Sequence, residues 1–250
     1  MSSDRYLYYF VSDIHLGLTA YSSAEREERF VRFLRNLPSS TKGLYLIGDI
    51  FDFWFEYKYV VPRGFTRVLG AISQLTDNGV EVYFFRGNHD MWTFGYLEQE
   101  TGLKILSEPS VVEIEGKKFC LAHGDELPGA EPTHLMLKRL FRSEFLQRML
   151  AAVHPRWTFS LASKWSRSSR LTRCDLAKFR GEEEPLYKYA CEFEKRERVD
   201  YFIFGHIHTP GNIMTPLGAE FYILGEWIFG CEYLCYDSQK QKMTWLSGKE

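Results

Sequence analysis

Side chains that bind metals recur at five places along the chain, each directly after a short apolar run. These segments are DIH at 13–15, GDIFD at 48–52, GNHD at 87–90, HGD at 123–125 and GHIH at 205–208. A mixed set of carboxylate, amide and imidazole donors suits Mn²⁺, Fe²⁺ or Zn²⁺ better than Ca²⁺. The candidate ligands are Asp13, His15, Asp49, Asn88, His123, His206 and His208. This set is too large for one ion, so it predicts two ions that share a bridging carboxylate.

Any one of these segments is a weak indication when taken alone. An Asp-x-His sequence or a pair of histidines two residues apart can lie on an ordinary surface, and Gly-Asn also suits a turn. Together they are informative, because Asp, Asn and His at the ends of buried strands cost free energy unless a partner satisfies them. The combination therefore favours a metal centre.

The apolar runs before the segments predict five buried strands, at 6–11, 43–47, 80–85, 118–122 and 201–204. Ligands in open α/β sheets gather outside the carboxyl ends of the strands, which is where all five segments would lie. Three further strands are predicted at 221–224, 233–236 and 242–246.

Helical patterns separate the early strands. Ser22 and Glu25 predict a capping box that opens the first helix, and Asp77-Asn78-Gly79 predicts the end of the second. The apolar residues at helical spacing are Phe30, Phe33, Leu34 and Leu37 in the first, and Val68, Leu69, Ile72 and Leu75 in the second. The alternation of strands and helices predicts a layered α/β core.

The stretch 127–198 has helical periodicity and no strand pattern. Residues 134–180 hold eleven Lys or Arg against two acidic residues, although the whole chain carries a net charge of -2. Large apolar residues such as Phe141, Phe145 and Trp157 are interleaved with the bases, and we expect them mainly to pack inside this stretch. We predict a core at 1–126 and 199–250 with a helical cap inserted at 127–198. A basic amphipathic surface can lie in a membrane interface and favours anionic lipids.

Composition narrows the class of protein. With 250 residues, 45% hydrophobic and 26% charged, the chain fits one globular domain or two small ones and not a disordered or fibrous protein. Five cysteines without a CxxC pair favour a reduced, cytoplasmic setting. The N-terminus lacks the pattern of a signal peptide, and no stretch reaches the roughly 18 apolar residues that a membrane span needs.

The five segments, in this order, resemble the motifs of the calcineurin-like metallophosphoesterase superfamily. The resemblance implies a four-layer αββα sandwich with a dinuclear centre between its two sheets, and Mn²⁺ as the metal. One ion would be held by Asp13, His15, Asp49 and His208. The other would be held by Asp49, Asn88, His123 and His206, so that Asp49 bridges the two.

The resemblance also implies a mechanism in which metal-activated water attacks phosphorus. Two divalent cations lower the pKa of a shared water and clamp the phosphoryl oxygens. His89 would stabilise the pentavalent phosphorus or protonate the leaving group, and Asp90 would orient His89. Asp52 is expected to support the site rather than to bind metal.

Within the superfamily, the chain is similar to the UDP-2,3-diacylglucosamine diphosphatases of lipid A biosynthesis. The similarity lies in the length and in the segments 140–157, 164–170 and 224–237. It implies a pyrophosphatase that converts UDP-2,3-diacylglucosamine to UMP and 2,3-diacylglucosamine 1-phosphate (lipid X), with the acyl chains between cap and core. It further implies peripheral attachment to the cytoplasmic face of the inner membrane. Phosphate and sugar would meet Lys164, Arg167, Ser168 and Arg170.

Several alternatives remain open at this point. Because the best-known branch of that family carries Arg at the position of His89, another nucleotide or lipid phosphoester is the alternative substrate. A nuclease would use the basic stretch, but its bases are mixed with large apolar residues, so no nucleic-acid partner is predicted. A metal-free scaffold is disfavoured because every expected ligand position is filled. The sequence indicates no particular oligomeric state.

Overall fold

The computed structural model describes residues 5–18, 22–127, 143–160 and 179–249. In chain order its strands are β1 (Leu7–Val11), β2 (Thr41–Ile47), β3 (Glu81–Phe85), β4 (Lys104–Leu106), β5 (Ser110–Ile114), β6 (Lys117–Ala122), β7 (Tyr201–Phe204), β8 (Gly211–Met214), β9 (Glu220–Ile223), β10 (Glu232–Asp237) and β11 (Lys242–Ser247). Its helices are α1 (Ser23–Arg35), α2 (Thr66–Asp77), α3 (Tyr96–Thr101), α4 (Glu144–Ala152) and α5 (Pro185–Glu194). A short 3₁₀ helix spans Gly181–Glu183, and residues 155–160 are also helical.

The strands form two sheets. The first has the order β11-β10-β1-β2-β3-β4 and the second the order β5-β6-β7-β9-β8. Strands β1 to β4 run parallel to one another, and so do β6, β7 and β9. Antiparallel pairs join β10 to β1 and to β11 in the first sheet, and β5 to β6 and β8 to β9 in the second. The carboxyl ends of the parallel strands in each sheet therefore meet at one edge.

Aromatic side chains fill the space between the sheets. The Phe10 ring stacks on Tyr45 with ring centroids 4.9 Å apart and on Phe119 at 5.7 Å, which joins a strand of one sheet to a strand of the other. Each ring removes a large apolar area from water, and this burial is the main stabilisation of such a layer.

Helices cover the two outer faces. Phe30 of α1 and Val68 of α2 are fully buried against the first sheet, and Leu186 and Ala190 of α5 pack on the second. The predicted four-layer αββα arrangement is confirmed. Helix α5 falls inside the range 127–198 given above for the cap, yet it contacts the core, and the boundaries of the cap remain a prediction.

Two local expectations were wrong, and three strands were missed. Ser22 lies in the left-handed region at φ 45° and makes no side-chain capping bond, so the predicted capping box does not form. Phe145 and Trp157 are exposed rather than packed inside the cap, while Phe141 lies outside the described residues. Strands β4, β5 and β8 were not predicted, because they are short and only half-buried.

Two further features concern membranes and cysteines. In the part of the chain that the structure describes, every helix is too short or too polar to cross a bilayer. Cys120, Cys191, Cys231 and Cys235 carry free thiols, and Cys174 lies outside the described residues.

Candidate metal centre

The loops at the carboxyl ends of five strands bring the predicted ligands to one edge of the sandwich. Backbone hydrogen bonds join these loops to one another. The N–H of Asp13 donates to the carbonyl of Gly48 at 3.1 Å, and the N–H of His15 donates to that of Asp49 at 3.0 Å. In the second sheet the N–H of Gly205 donates to the carbonyl of His123 at 3.1 Å. The loops thus form one connected unit rather than independent turns.

Four of the predicted ligands form a tight group: Asp13, His15, Asp49 and His208 each offer an atom within 4.8 Å of the others. Nε2 of His208 lies 3.2 Å from Oδ1 of Asp13 and 3.4 Å from Nε2 of His15. These are the residues that the resemblance assigned to one ion.

Asp49 connects this group to the remaining candidates. Its Oδ2 atom lies 3.9 Å from Nε2 of His15 and 3.4 Å from Nε2 of His123. The ring of His123 in turn lies 5.2 Å from the ring of His206, centroid to centroid. A carboxylate between two imidazoles has the position that a bridging ligand needs, although the assignment of each residue as a ligand stays a prediction.

Three candidate ligand atoms are buried and make no hydrogen bond: Asp13 Oδ1, Asn88 Oδ1 and His123 Nε2. An unsatisfied buried polar atom costs about 1–3 kcal/mol. Two of these atoms face other candidate ligands, since Asp13 Oδ1 lies 3.2 Å from His208 Nε2 and His123 Nε2 lies 3.4 Å from Asp49 Oδ2. A cation between such groups would satisfy them. The residues therefore fit divalent metal, both in the types of donor and in their unmet bonding capacity.

The backbone at these residues is strained. Asp13, His15, Asp49, His206 and His208 all lie in the left-handed region, with φ between 50° and 72°. Residues other than glycine rarely adopt this backbone conformation. Such strain persists where the surrounding structure enforces it, often at functional sites. Here the five strained residues are all candidate metal ligands.

Burial and neighbouring charges shift the pKa values of several residues in the cluster. Burial opposes charge on Asp13, but His208 and His15 outweigh it and hold the pKa of Asp13 well below its ordinary value. Burial disfavours a charged His123, yet the Asp49 carboxylate prevails and raises the pKa of His123 to about 10. Burial, together with the charge of His123, lowers the pKa of His206 to about 3. Asp13 is thus ionised and His206 neutral, which are the forms that bind metal, whereas His123 without metal is protonated beside Asp49 and must release that proton to bind an ion.

His89 is oriented by Asp52. Its Nδ1 atom lies 2.8 Å from the backbone carbonyl oxygen of Asp52, and its partly exposed ring meets the ring of His15 edge-on at 5.0 Å. The Oδ1 atom of Asp52 lies 3.7 Å from Nδ1 of His15. Asp52 thus contacts both histidines, which agrees with its expected supporting position.

Asp90 does not orient His89, contrary to the expectation from the sequence. Its buried carboxylate accepts backbone N–H groups of Ile50 at 2.8 Å, Phe51 at 3.2 Å, Gly87 at 2.8 Å and Asp49 at 3.3 Å. Burial and the adjacent Asp49 carboxylate raise the pKa of Asp90 to about 7. Asp90 therefore ties the loop after β2 to the loop after β3.

One residue of the site gave no sequence signal. Oε1 of Glu108 accepts the backbone N–H of His123 at 2.8 Å and so helps to fix that loop. Glu108 stands in no motif, because it reaches the site from the connection between β4 and β5.

The described part of the cap lies beside the metal-site loops. The ring of Phe159 meets the ring of Phe53, which directly follows Asp52, at 5.3 Å. A cavity of about 430 Å³ separates α4 from the loops of Phe55 and Phe94. The four predicted substrate-binding residues, Lys164, Arg167, Ser168 and Arg170, lie outside the described residues.

The chain is similar to known proteins over most of its length. The family model for calcineurin-like phosphoesterases matches residues 7–210. The chain is 41% identical over 244 residues to a UDP-2,3-diacylglucosamine hydrolase of Porphyromonas gingivalis, covering 92% of this chain and 93% of that protein. It is 30% identical over 226 residues to the protein of the same name from Stenotrophomonas maltophilia (strain R551-3), covering 87% and 90%. A solved structure from Streptococcus pneumoniae, described as a predicted phosphoesterase, aligns with a TM-score of 0.47 and 12% identity over 99% of this chain and 92% of that one.

Proposed function

The chain belongs to the calcineurin-like phosphoesterase family, and from this we propose that it cleaves the pyrophosphate bond of UDP-2,3-diacylglucosamine. The products would be UMP and 2,3-diacylglucosamine 1-phosphate. The observation that carries the proposal is a 41% identical relative, matched over nearly the full length of both chains, that is named for this substrate.

The proposed cofactors are two divalent cations, with Mn²⁺ as the metal to test first. Asp13, His15, Asp49 and His208 would hold one ion, and Asp49, Asn88, His123 and His206 would hold the other. When bound, such ions activate water and neutralise the charge on phosphoryl oxygens. The buried atoms without hydrogen bonds, Asn88 Oδ1 and His123 Nε2, support this assignment.

His89 is the proposed catalytic side chain of the protein itself. The Asp52 carbonyl engages Nδ1, which leaves Nε2 as the ring nitrogen for the substrate. In its protonated form that nitrogen donates a hydrogen bond to a phosphoryl oxygen or a proton to the leaving group. Asp90 would act indirectly, by holding together the loop after β2 and the loop after β3, which carries His89.

Substrate selection is assigned to the cap at 127–198. Lys164, Arg167, Ser168 and Arg170 would bind the phosphates and the sugar, and the acyl chains would lie between cap and core. The contact of Phe159 with Phe53 supports this role, because it joins a cap residue to the loop that carries Asp52.

The proposed location is the cytoplasmic face of the inner membrane, with the protein attached peripherally. A substrate with two acyl chains resides in a bilayer, so an enzyme that acts on its headgroup benefits from contact with the bilayer surface.

The test is release of UMP from UDP-2,3-diacylglucosamine in detergent micelles by the purified protein with Mn²⁺. We expect turnover that requires added metal and is abolished in Asp49→Asn, while Asp77→Asn at the end of α2 retains it. Hydrolysis of ADP-ribose or of a phosphomonoester, without UMP release from the acylated substrate, would contradict the proposed substrate and favour another phosphoester.

A further inference from the structure

An arginine near the start of α1 is buried beside the loop that carries His15. Arg26 is only 2% exposed. Arginine rarely lies in a protein interior, and its guanidinium group stays charged there. Burial of such a charge costs free energy that an apolar side chain of similar size would avoid. The position therefore indicates a role for Arg26 beyond packing α1 against the sheet.

The guanidinium group of Arg26 holds the two ends of a turn. Its Nη2 atom donates to the backbone carbonyl of His15 at 2.9 Å and to that of Leu18 at 3.1 Å. The N–H of Leu18 closes the same turn by donating to the His15 carbonyl at 3.3 Å, which is long for such a bond. A charged donor makes the stronger hydrogen bond, so Arg26 is the main restraint on this turn.

The restrained turn fixes the position of a candidate metal ligand. The backbone of His15 is strained, with φ 50°, and its ring is fully buried. Nε2 of His15 lies 3.4 Å from Nε2 of His208 and 3.7 Å from Oδ1 of Asp13. A small displacement of the turn would therefore move this nitrogen out of the group that could hold an ion.

Apolar contacts of the same helix support the neighbouring ligand, Asp13. The N–H of Trp227 donates to the carbonyl of Asp13 at 3.1 Å. The buried Trp227 ring meets the ring of Phe30 edge-on at 5.5 Å, and Phe30 lies one helical turn after Arg26. Helix α1 thus contacts the supports of both Asp13 and His15.

Candidate ligands further along the chain have different supports. The carboxylate of Asp90 accepts the N–H groups of Asp49 and Gly87, and Glu108 accepts the N–H of His123. Arg26 should therefore affect the ion of the Asp13 group more than the other ion.

We propose that Arg26 is a positioning residue that holds His15 in place to bind one of the two divalent cations. It acts through the carbonyls of His15 and Leu18 rather than by touching metal or substrate. Partners of metal ligands typically change metal affinity by about 10–100-fold when they are removed. The inference rests on the metal centre of the proposed function but not on the identity of the substrate.

Arg26→Met tests the proposal, because it removes both hydrogen bonds and keeps an unbranched side chain. Metal-free protein is titrated with Mn²⁺ in a calorimeter, and the unaltered protein should bind two ions per chain. In the variant, the Kd of one ion should rise by about 10–100-fold while the Kd of the other changes little.

Electron paramagnetic resonance follows the same loss without measuring activity. At Mn²⁺ concentrations that load both sites of the unaltered protein, its spectrum should be that of a coupled pair of ions. Arg26→Met should show the spectrum of an isolated ion at these concentrations, and excess Mn²⁺ should restore the pair. A residue that only stabilises the fold would not produce this change.

Two further variants complete the comparison. Arg26→Lys keeps the charge but lacks the planar, longer guanidinium group, so the Kd of the same ion should rise by less than about tenfold. Arg35→Met makes the matched change at an exposed position of α1 and should bind both ions as the unaltered protein does. If Arg26→Met does not fold, Arg26→Lys decides alone: a raised Kd for one ion supports the inference, and unchanged values for both overturn it.

Two outcomes overturn the inference when Arg26→Met folds. One is an unchanged Kd for both ions. The other is an equal loss of affinity for both ions together with a lower melting temperature of the metal-free variant, which a merely structural role would give.

Release of UMP separates this inference from the proposed function. Arg26→Met should need more Mn²⁺ for turnover but reach nearly the unaltered kcat and KM when Mn²⁺ is saturating. If the variant loses one ion while neither protein releases UMP from the acylated substrate, the positioning role stands and the substrate is refuted. If the unaltered protein binds no Mn²⁺, the metal centre and the inference are both refuted.

Discussion

Gly87 lies directly against the carboxylate of Asp49, and a Cβ atom at position 87 would overlap Oδ1 of Asp49. The N–H of Gly87 also donates to Oδ1 of Asp90 at 2.8 Å. The φ angle of Gly87 is not positive, so the glycine is required here for close approach rather than for an unusual backbone. This contact sets the distance between the loops that carry Asp49 and Asn88.

Gly87→Ala should therefore disable the metal centre. The added methyl group must displace the Asp49 carboxylate or the loop, and overpacking of this kind costs about 1–3 kcal/mol. We expect a large loss of Mn²⁺ affinity in calorimetry and of phosphoesterase activity. The control is Gly70→Ala, whose Cβ meets open space within α2. That change should stabilise the protein by up to about 1 kcal/mol and leave metal binding intact.

Asp90→Asn should weaken the site without removing a ligand. The amide keeps one acceptor oxygen where the carboxylate has two, so at least one buried N–H among those of Ile50, Phe51, Gly87 and Asp49 loses its bond. Each such loss costs about 1–3 kcal/mol. We expect a lower melting temperature together with weaker metal binding. An unchanged melting temperature would show that Asp90 does not tie the loops together.

The sequence predicts the ligand-bearing strands well, for a physical reason. A buried parallel strand needs a continuous apolar run, and the runs at 43–47 and 201–204 lie within or coincide with observed strands. Strands such as Lys104–Leu106 and Gly211–Met214 lie at sheet edges and are half-exposed, so they leave no comparable apolar pattern.

Positions that depend on backbone geometry are not predictable from residue types. Ser22 has the right type and spacing for a capping box, but its left-handed backbone gives no capping bond. The neighbours Asp90 and His89 form no pair, because Asp90 turns to backbone N–H groups while Asp52, distant in sequence, supplies the partner of His89. The hydrogen-bond partners of Asp90 and His89 depend on how the loops pack against one another in the folded protein.

His89→Gln should separate catalysis from metal binding. His89 lies outside the four-residue group around Asp13 but forms a second group with His15 and Asp52 that could also hold a metal. If His89 acts on the substrate and not on an ion, its loss should leave Mn²⁺ affinity nearly unchanged. If Nε2 acts on the leaving group, kcat should fall by about 10²–10⁴ while KM changes little. Asp13→Asn is the contrasting variant and should lose metal and activity together. Parallel loss of metal by His89→Gln would contradict the catalytic assignment.

Asp237 gives a prediction for stability that is independent of the metal site. It accepts Arg5 Nε at 2.8 Å and the N–H groups of Gln239 and Lys240 at 3.1 Å. Burial opposes its charge, but the N–H of Lys240 and the charge of Arg5 prevail, so the pKa of Asp237 lies below its ordinary value. This stabilisation is complete above the unfolded-state pKa of about 3.9 and is lost as pH falls through the folded-state pKa. Asp237→Asn should cost about 1–2 kcal/mol in urea unfolding at pH 7, and the difference should shrink towards pH 3.

Metal removal should destabilise the fold, because a cation satisfies the buried atoms Asn88 Oδ1 and His123 Nε2 that otherwise lack hydrogen bonds. A ligand that binds only the folded state stabilises it by about 2.7 kcal/mol at 100 times its Kd. For a chain of this length that is on the order of 5–10 °C in Tm. We expect a chelator to lower Tm by this amount and excess Mn²⁺ to restore it, as followed by differential scanning calorimetry. In Asp49→Asn the shift should be largely absent, since the variant loses the carboxylate that lies between His15 and His123. If neither the chelator nor added metal changed the Tm of the unaltered protein, these residues would hold no ion.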